Sequence, residues 1–370
     1  MINQEILDKP VKRIWILGDM HLGVRSSSLE WLDMMKDFYD NQFIPTLLEN
    51  YQDGDILVQV GDAFDNRQSI NIRVLHYAID LFERLGKILP VHVIAGNHDI
   101  WAKKSNEVTS IDTLKWIPNV AIYKESKTFN WGGKEVLLMP WRRDTDHEKE
   151  TLAEFPNSNI VFCHSEVRGI KLNKKVDNFH GVEASTYDRF DAVYSGHIHY
   201  RQKRGRLRMV GTPYELTRSD MDNTKGFDMV DLEDMSETFY ENTISPKFVK
   251  FYLTQLYDVK LGEFKDAIRN NYVDLYIPSN IATTSALSRL INKVQSISRK
   301  IDPNIYEQDT FLDKDMYDMD EIEDLYKNYN ILHLCNMYVD NLGHSSDVKD
   351  QIKARLRKLH DFCAYNYEID

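Results

Sequence analysis

The chain has 370 residues, a net charge of −12 at pH 7, and 42% hydrophobic and 11% aromatic residues. This length predicts two or three domains, and the composition is ordinary for a globular protein with a large core. The sequence has no run that approaches the roughly 20 apolar residues of a membrane span, and Met1 to Pro10 has no signal pattern. Three cysteines, an odd number without metal-binding spacing, favour a reduced, cytoplasmic setting. We therefore expect a cytoplasmic protein with no membrane partner.

The acidic charge balance does not decide whether nucleic acid is a partner, because local fields steer binding. Basic clusters occur at Arg142–Arg143, at Lys171 with Lys174–Lys175, and from Arg201 through Arg208. Taken alone, such clusters are more often solvated surface than binding sites. The charge pattern is therefore compatible with DNA as a partner but does not support it.

Five apolar runs of strand length occur in the first two hundred residues, and each is followed directly by a polar motif. These runs are Ile14–Leu17, Ile56–Val60, Val91–Ala95, Ile160–Phe162 and Ala192–Tyr194. Between them, Asn71 to Leu85 shows helical spacing with Gly86 as its expected end. Segments 120–140 and 205–240 favour hairpins, the first with a turn at Asn130–Gly133. This mixture predicts an α/β fold over residues 1–245: a two-sheet sandwich with helices outside.

A second region begins at Pro246. Tyr272–Ile277 is predicted to be a strand, and a helix is expected from about Thr284 to Lys300, which together indicate a small α+β domain over 246–306. An acidic stretch, Glu307 to Asp324, follows as a linker or a solvated helix start. Two helices are then expected at about 320–340 and 346–365, so that residues 307–370 form an acidic linker and a helical segment.

Seven side chains at the strand ends have the character of metal ligands: Asp19, His21, Asp62, Asn97, His164, His197 and His199. The ends of strands in such folds converge on one edge, where distant motifs meet. Seven mixed oxygen and nitrogen donors suffice for two ions, and the set suits manganese, iron or zinc better than calcium. Asp62, on the tight Gly61-Asp62 turn, is the expected bridging carboxylate.

His98 is expected to play a different role because it adjoins the ligand Asn97. We expect it to face substrate, where it stabilises the transition state or protonates the leaving oxygen. Asp99 is expected to orient its ring. Each motif alone also fits a buried structural residue, and only the five motifs in this order make a metal site a specific prediction.

Cys163 is interpreted as a small buried hydrophobe. The remaining histidines lack such partners and are interpreted as structural: His76, His92, His147, His180, His333, His344 and His360.

The motifs GDMHLG, GDAFDN, GNHD, CHSEV and SGHIH resemble those of the calcineurin-like metallophosphoesterases. More narrowly, the chain resembles the SbcD-type DNA-repair nuclease subunits, including their T-even phage counterparts. Two features carry this likeness: the DMHLG form of the first motif, and the strand and turn Met209–Leu216. The close resemblance covers about residues 13–235, and it implies that the α+β domain over 246–306 is a capping domain that faces DNA.

This resemblance implies two sets of ligands that share Asp62. The first metal would be held by Asp19, His21, Asp62 and His199, and the second by Asp62, Asn97, His164 and His197. His98 would be the catalytic histidine, and Mn²⁺ the usual ion. The implied activities are exonuclease action on double-stranded ends and endonuclease action on single strands or hairpins. The implied partners are DNA, an SbcC-type coiled-coil ATPase and a second copy of the chain, which would contact the first through segment 27–50.

Four points remain open from the sequence. Some SbcD-type relatives have a histidine where this chain has Asp65, which leaves the balance of exonuclease to endonuclease activity open. A stand-alone phosphatase or small-molecule phosphodiesterase is a second reading, although protein phosphatases usually show Gly-Asn-His-Glu and Asp-Arg-Gly, against Asp99 and Asp65-Asn66-Arg67 here. A non-catalytic scaffold for the ATPase would be expected to lack ligands, and all seven are present. The last helix would either dock on the ATPase or pack on the core.

Overall fold

A computed structural model describes residues 10–102, 105–254, 260–279, 285–306, 339 and 346–367. The chain divides into two compact units, the first formed by Met1–Ile277 with Ile281–Ile305 and the second by Pro278–Asn280 with Tyr306–Asp370. Two six-stranded sheets dominate the first unit.

The strands of sheet A are β1 (Arg13–Leu17), β2 (Asp55–Gln59), β3 (Val91–Ile94), β6 (Val120–Tyr123), β15 (Gly226–Asp231) and β16 (Glu237–Glu241). They lie in the order β16-β15-β1-β2-β3-β6. Strands β1, β2, β3 and β6 are parallel, and β15 and β16 complete one side in antiparallel pairing. A small hairpin, β4 (Ile100–Ala102) with β5 (Ser105–Thr109), follows β3.

The strands of sheet B are β7 (Lys127–Trp131), β8 (Lys134–Met139), β9 (Ile160–His164), β12 (Ala192–Gly196), β13 (Gln202–Arg204) and β14 (Leu207–Met209). They lie in the order β13-β14-β12-β9-β8-β7. Strands β8, β9, β12 and β14 are parallel, and the two outer strands are antiparallel to their neighbours. A short parallel pair, β10 (Val167–Arg168) and β11 (Val182–Glu183), lies outside both sheets.

The two sheets pack face to face around a shared apolar layer. Ile14 and Ile16 of β1 belong to this layer, together with Ile160 and Phe162 of β9. The alternate residues of β1, such as Trp15, belong to a second core on the other face of sheet A. Because both faces of β1 are buried, its sequence is a continuous apolar run rather than an alternating one.

Helices cover the outer faces of the sandwich. On sheet A lie α1 (Leu29–Phe38), a π-helical turn (Tyr39–Phe43), α2 (Ile44–Asn50) and α3 (Ile72–Ile88). On sheet B lies α4 (Thr145–Glu154). The predicted α/β sandwich with helices outside is therefore confirmed, and so are its five strands.

Two local predictions in this region had different outcomes. The hairpin turn is confirmed: Gly132 and Gly133 join β7 to β8 with φ of 58° and 76°, a conformation that favours glycine. The helix expected over Asn71 to Leu85 is confirmed as α3, with Asn71 as its N-cap, but Gly86 does not end this helix, so that prediction is wrong. A Cβ at Gly86 would lie 2.5 Å from the Pro118 carbonyl oxygen, so this glycine serves close packing inside the helix.

The region after Pro246 forms a three-stranded sheet, the capping sheet, with a core of its own. Its elements are β17 (Phe248–Tyr252), α5 (Leu261–Ile268), β18 (Tyr272–Pro278), α6 (Ser285–Gln295) and β19 (Lys300–Tyr306). The expected strand at 272 is confirmed, but the helix ends at Gln295 instead of Lys300. The Ser296 and Ser298 hydroxyls bond to carbonyls of the last helical turn, and the chain then enters β19. The domain boundary after residue 245 remains a prediction.

In the second unit, the helix expected over 346–365 is present as α7 (Ser346–Tyr367). The acidic stretch Glu307–Asp324 lies outside the described residues, and so does the helix expected at 320–340, apart from residue 339. Among the helices that the structure describes, none is long and apolar enough to cross a membrane.

Candidate metal centre

All seven predicted ligands and His98 follow or end strands at one edge of the sandwich. Sheet A contributes the residues after β1, β2 and β3, and sheet B contributes the end of β9 and the residues after β12. Since these strands are parallel within each sheet, their carboxyl ends share an edge, as the sequence predicted. Hydrogen bonds and short ion-pair contacts join all of these residues into a single cluster.

Asp19 is fully buried at the end of β1. Its Oδ2 accepts a hydrogen bond of 2.9 Å from the His197 backbone N–H. Its Oδ1 is buried and has no hydrogen-bond partner among the described residues. Burial raises the pKa of Asp19 to about 7, although the nearby His164 opposes this shift. A buried carboxylate oxygen without a donor fits a bound cation, which would supply the missing partner.

Asp62 lies at the centre of the cluster. Its Oδ1 accepts a hydrogen bond of 2.7 Å from the His98 N–H, and its Oδ2 lies 3.3 Å from His164 Nε2 and 3.7 Å from His21 Nε2. Burial alone would raise the pKa of Asp62, but the positive charge of His164, and then of His21, holds this pKa well below its usual range. A carboxylate within reach of histidines from both sheets is suited to bridge two ions.

Two glycines allow this close approach. A Cβ at Gly96 would lie 2.2 Å from Asp62 Oδ1, and a Cβ at Gly61 would lie 2.3 Å from His164 Nδ1. Gly61 and Asp62 both have positive φ, of 98° and 54°, so the backbone turns sharply after β2. These glycines therefore serve the packing of the cluster as well as the turn.

His21 and His199 face each other across the two sheets, with their Nε2 atoms 3.0 Å apart. Two ring nitrogens this close need a proton or a cation between them. Burial lowers the pKa of His21, but the carboxylates of Asp65, Asp62 and Asp19 outweigh it and raise this pKa to about 9. Burial, and then the charge of His21, keeps the pKa of His199 well below its usual range, in the neutral form that binds metals.

His164 and His197 both point at the side-chain oxygen of Asn97. His164 Nε2 and His197 Nδ1 each lie 2.9 Å from Asn97 Oδ1. His164 Nδ1 donates to the Val60 carbonyl at 2.8 Å, which fixes its tautomer and directs Nε2 into the cluster. Burial, and then the charge of His164, lowers the pKa of His197 to about 3.

Three groups of side chains bring their ligand atoms within 4.8 Å of one another: Asp19 with His21 and His199, His21 with Asp62 and His98, and Asp19 with Asp62 and His164. The first group contains three of the four ligands expected for the first metal. The donor chemistry and the unpartnered Asp19 oxygen fit a pair of divalent cations. The division of the seven ligands between two ions stays a prediction.

His98 is oriented by a backbone carbonyl rather than by the residue that we expected. Its Nδ1 donates to the Asp65 carbonyl oxygen at 2.6 Å, so Nε2 is the atom left for other partners. Asp99 is buried and accepts bonds from the N–H groups of Ala63, Phe64 and Gly96 and from the Ser110 hydroxyl. The expected role of Asp99 in orienting the His98 ring is therefore wrong, because its two oxygens are committed to the loops that carry the ligands.

Sequence reasoning did not identify the roles of two residues in the site. Asp65 accepts from His21 Nδ1 at 3.1 Å in addition to orienting His98, so one residue fixes two histidines. The ring of Trp141 lies 4.8 Å from that of His197 and 5.9 Å from that of His164. Trp141 follows β8, the neighbour of β9, and its place just beyond a strand end was the signal that could have found it.

Comparison with known proteins gives the class of this centre. The sequence pattern of the calcineurin-like phosphoesterases matches residues 12–201, just over half of the chain, and includes every predicted ligand. The chain belongs to the calcineurin-like phosphoesterase family. It is therefore a hydrolase of phosphate esters in a family that binds divalent metals.

Three viral proteins are similar to this phosphoesterase. Exonuclease subunit 1 of Enterobacteria phage T4 is 30% identical over 234 residues, which are 62% of this chain and 68% of the phage protein. Two proteins named as phosphoesterases come from Invertebrate iridescent viruses 6 and 3. The first (244L) is 27% identical over 52% of this chain and 66% of its own length. The second (078R) is 26% identical over 51% of this chain and 53% of its own length. The chain thus spans between about half and two thirds of these relatives.

Proposed function

We propose that this phosphoesterase is the two-metal-dependent DNA nuclease subunit of a repair or recombination complex, with exonuclease and endonuclease activity. The observation that carries the proposal is the set of seven converging donors with Asp62 between the sheets. The similarity to a phage exonuclease subunit favours DNA over other phosphate esters.

In this proposal one Mn²⁺ is held by Asp19, His21, Asp62 and His199, and the other by Asp62, Asn97, His164 and His197. When bound, such a pair acidifies a water molecule and neutralises charge on the phosphoryl oxygens. The chain's own residues keep the donors in place: Val60 fixes the tautomer of His164, and Asp65 holds His21.

His98 is the proposed catalytic residue. Its Nδ1 proton is committed to the Asp65 carbonyl, so Nε2 is the atom that would meet substrate. Its backbone N–H meanwhile holds Asp62 Oδ1, which ties the position of the ring to the bridging carboxylate. At Nε2, His98 would donate a hydrogen bond to the phosphoryl group in the transition state or a proton to the leaving oxygen.

The substrate and the partners of this subunit follow the same proposal. Trp101, three residues after His98, is 60% exposed and offers a ring for stacking on an unpaired base. The partners we propose are DNA, an SbcC-type ATPase that receives α7, and a second copy of the chain that contacts segment 27–50. The capping sheet would face the DNA.

Replacing His98 tests the proposed activity. We expect purified protein with Mn²⁺ to degrade linear duplex and single-stranded DNA, and His98→Ala to lower the rate about 10²–10⁴-fold while both ions remain bound. The matched control is His180→Ala, a change at an exposed histidine outside the cluster, which should leave cleavage unchanged.

Two outcomes would overturn this proposal. Rapid hydrolysis of phosphoproteins or small phosphoesters without DNA cleavage would identify a phosphatase or a small-molecule phosphodiesterase. Binding of the ATPase without any metal-dependent hydrolysis would identify a scaffold. Cleavage that persists in His98→Ala would remove this histidine from the mechanism.

A further inference from the structure

A buried ion pair lies behind the ligand His199 and belongs to none of the motifs. Lys225 Nζ donates to the His199 carbonyl oxygen at 2.7 Å and to Asp220 Oδ1 at 2.6 Å. Both charged side chains are only 3% exposed. Removing two charges from water is costly, and such a pair often stabilises less than an apolar substitute would. Its position against the backbone of a ligand suggests a role other than stability.

The same segment holds the backbone on the far side of His199 as well. Asn223 accepts from the Arg201 N–H at 2.8 Å and donates to the Arg201 carbonyl at 3.1 Å. The loop between β12 and β13 that carries His199 is therefore fixed at two places, through Lys225 and through Asn223. The His199 side chain is 30% exposed, so its position depends on such contacts.

The other end of this segment reaches the capping sheet. Asp220 Oδ2 accepts from the N–H groups of Leu216 and Thr217, and so closes a short turn that contains Arg218. Arg218 makes a bidentate contact with Asp274 of β18, at 2.6 and 2.8 Å, and a third contact of 2.6 Å with Asp302 of β19.

We propose that the segment Thr217–Lys225 positions His199 for metal binding and makes its geometry depend on the capping sheet. Lys225 and Asp220 are positioning residues, and Arg218 is the link to the cap. This inference rests on the proposed role of His199 as a ligand. A contact that served only the fold would change stability without changing metal affinity, and this difference can be measured.

The first experiment removes the buried charges together. Lys225→Met with Asp220→Asn keeps the size of both side chains and leaves an acceptor for the 217 turn, so no unpaired charge is buried. We expect Mn²⁺ titration calorimetry to show one of two affinities lowered about 10–100-fold, as for other residues that orient metal ligands, with the second affinity unchanged.

The matched control uses an exposed pair that involves the same segment. Lys174 Nζ lies 3.3 Å from Asp222 Oδ2, and the two side chains are 70% and 64% exposed. Lys174→Met with Asp222→Asn makes the same chemical change in water, and we expect both Mn²⁺ affinities to stay at wild-type values.

The second experiment tests the link to the cap. Arg218→Met should lower the same Mn²⁺ affinity about 3–10-fold, a smaller loss because the nearer contacts remain. Combined with the charge-pair change, its effect should be less than additive, since both act through one segment. The control is Arg299→Met, which breaks the 2.9 Å contact to Glu30 between the capping sheet and α1 but does not reach His199.

Several outcomes would overturn the inference. Two unchanged Mn²⁺ affinities in the charge-pair variant, whatever its melting temperature, would leave the pair a purely structural contact. An effect of Arg299→Met as large as that of Arg218→Met would remove the specific link. If the charge-pair variant does not fold, Asn223→Ala is measured instead, with the same expected loss at one site. Loss of one affinity in a protein that cleaves no DNA would support the inference and defeat the proposed nuclease activity.

Discussion

Sheets A and B each contain four parallel strands, but they bring different atoms to their shared edge. Sheet A provides all three oxygen donors, Asp19, Asp62 and Asn97, together with His21. Sheet B provides only imidazoles: His164, His197 and His199. The anionic charge of the centre therefore comes from one sheet and most of its nitrogen donors from the other.

The hydrogen bonds across the edge show what this difference means. Asp19 of sheet A accepts from the His197 N–H, and Asn97 faces His164 and His197. The buried carboxylates of sheet A need cations or protonated imidazoles nearby, and His197 and His199 are held in the neutral form that binds metals. Neither sheet alone has the complete set of proposed ligands, so we expect metal binding to require the closed sandwich.

The largest effect is expected from the shared carboxylate of sheet A. Asp62→Asn removes the charge that lies between histidines of both sheets, so we expect Mn²⁺ stoichiometry to fall below two and DNA hydrolysis to drop by about 10³-fold or more. His199→Ala, on sheet B, should weaken only one ion. Metal analysis with a cleavage assay checks both variants.

The control for Asp62→Asn is Asp234→Asn. Asp234 lies in the turn between β15 and β16, at the opposite edge of sheet A, and is exposed. It should keep two ions and full activity. Two tightly bound ions in Asp62→Asn would contradict the bridging role.

A second effect concerns the interface between the sheets at low pH. His92 of sheet A is buried against Phe129 and Trp131 of sheet B, and burial lowers its pKa to about 3. The unfolded chain binds this proton below its ordinary pKa of about 6.5, so stability from neutral His92 is complete above 6.5 and is lost as pH falls toward 3. Between pH 7 and pH 4 this loss is about 3 kcal/mol.

Denaturant unfolding of wild type and His92→Gln at both pH values measures this loss. The fall in unfolding free energy between pH 7 and pH 4 should be about 3 kcal/mol smaller in the variant, because its side chain does not titrate. The control, His76→Gln, changes an exposed histidine on α3. Equal pH dependence in wild type and His92→Gln would exclude this histidine as the acid-sensitive group.

The smallest effect is expected in the outer layer of sheet A. Gly86→Ala places a methyl group 2.5 Å from the Pro118 carbonyl oxygen, and we expect it to lower unfolding free energy by about 1–3 kcal/mol without changing Mn²⁺ binding. Gly262→Ala is the matched control, since the added Cβ in α5 meets nothing within 4 Å. It should be neutral or slightly stabilising. A fall in Mn²⁺ affinity in Gly86→Ala would show that the outer layer also shapes the centre.

The strand-end motifs made much of this molecule predictable from sequence. Apolar runs buried on both faces, such as Ile14–Leu17, identify central parallel strands, and the polar residues after them must then share one edge.

Prediction failed where a residue's role depends on a distant backbone atom. Gly86 faces the Pro118 carbonyl, and Asp99 serves the N–H groups of residues 63 and 64. Neither partner is visible in local spacing.

Sequence alone was enough to predict the types of the proposed ligand residues, their placement after strands and the family of the fold, because these depend on local hydrophobic pattern and on short motifs. The atoms that hold the histidines in place became visible only in the folded protein. The Asp65 carbonyl orients His98, and Lys225 and Asn223 fix the loop that carries His199. These contacts join segments from separate parts of the chain, and their geometry exists only after the two sheets and the capping sheet have packed.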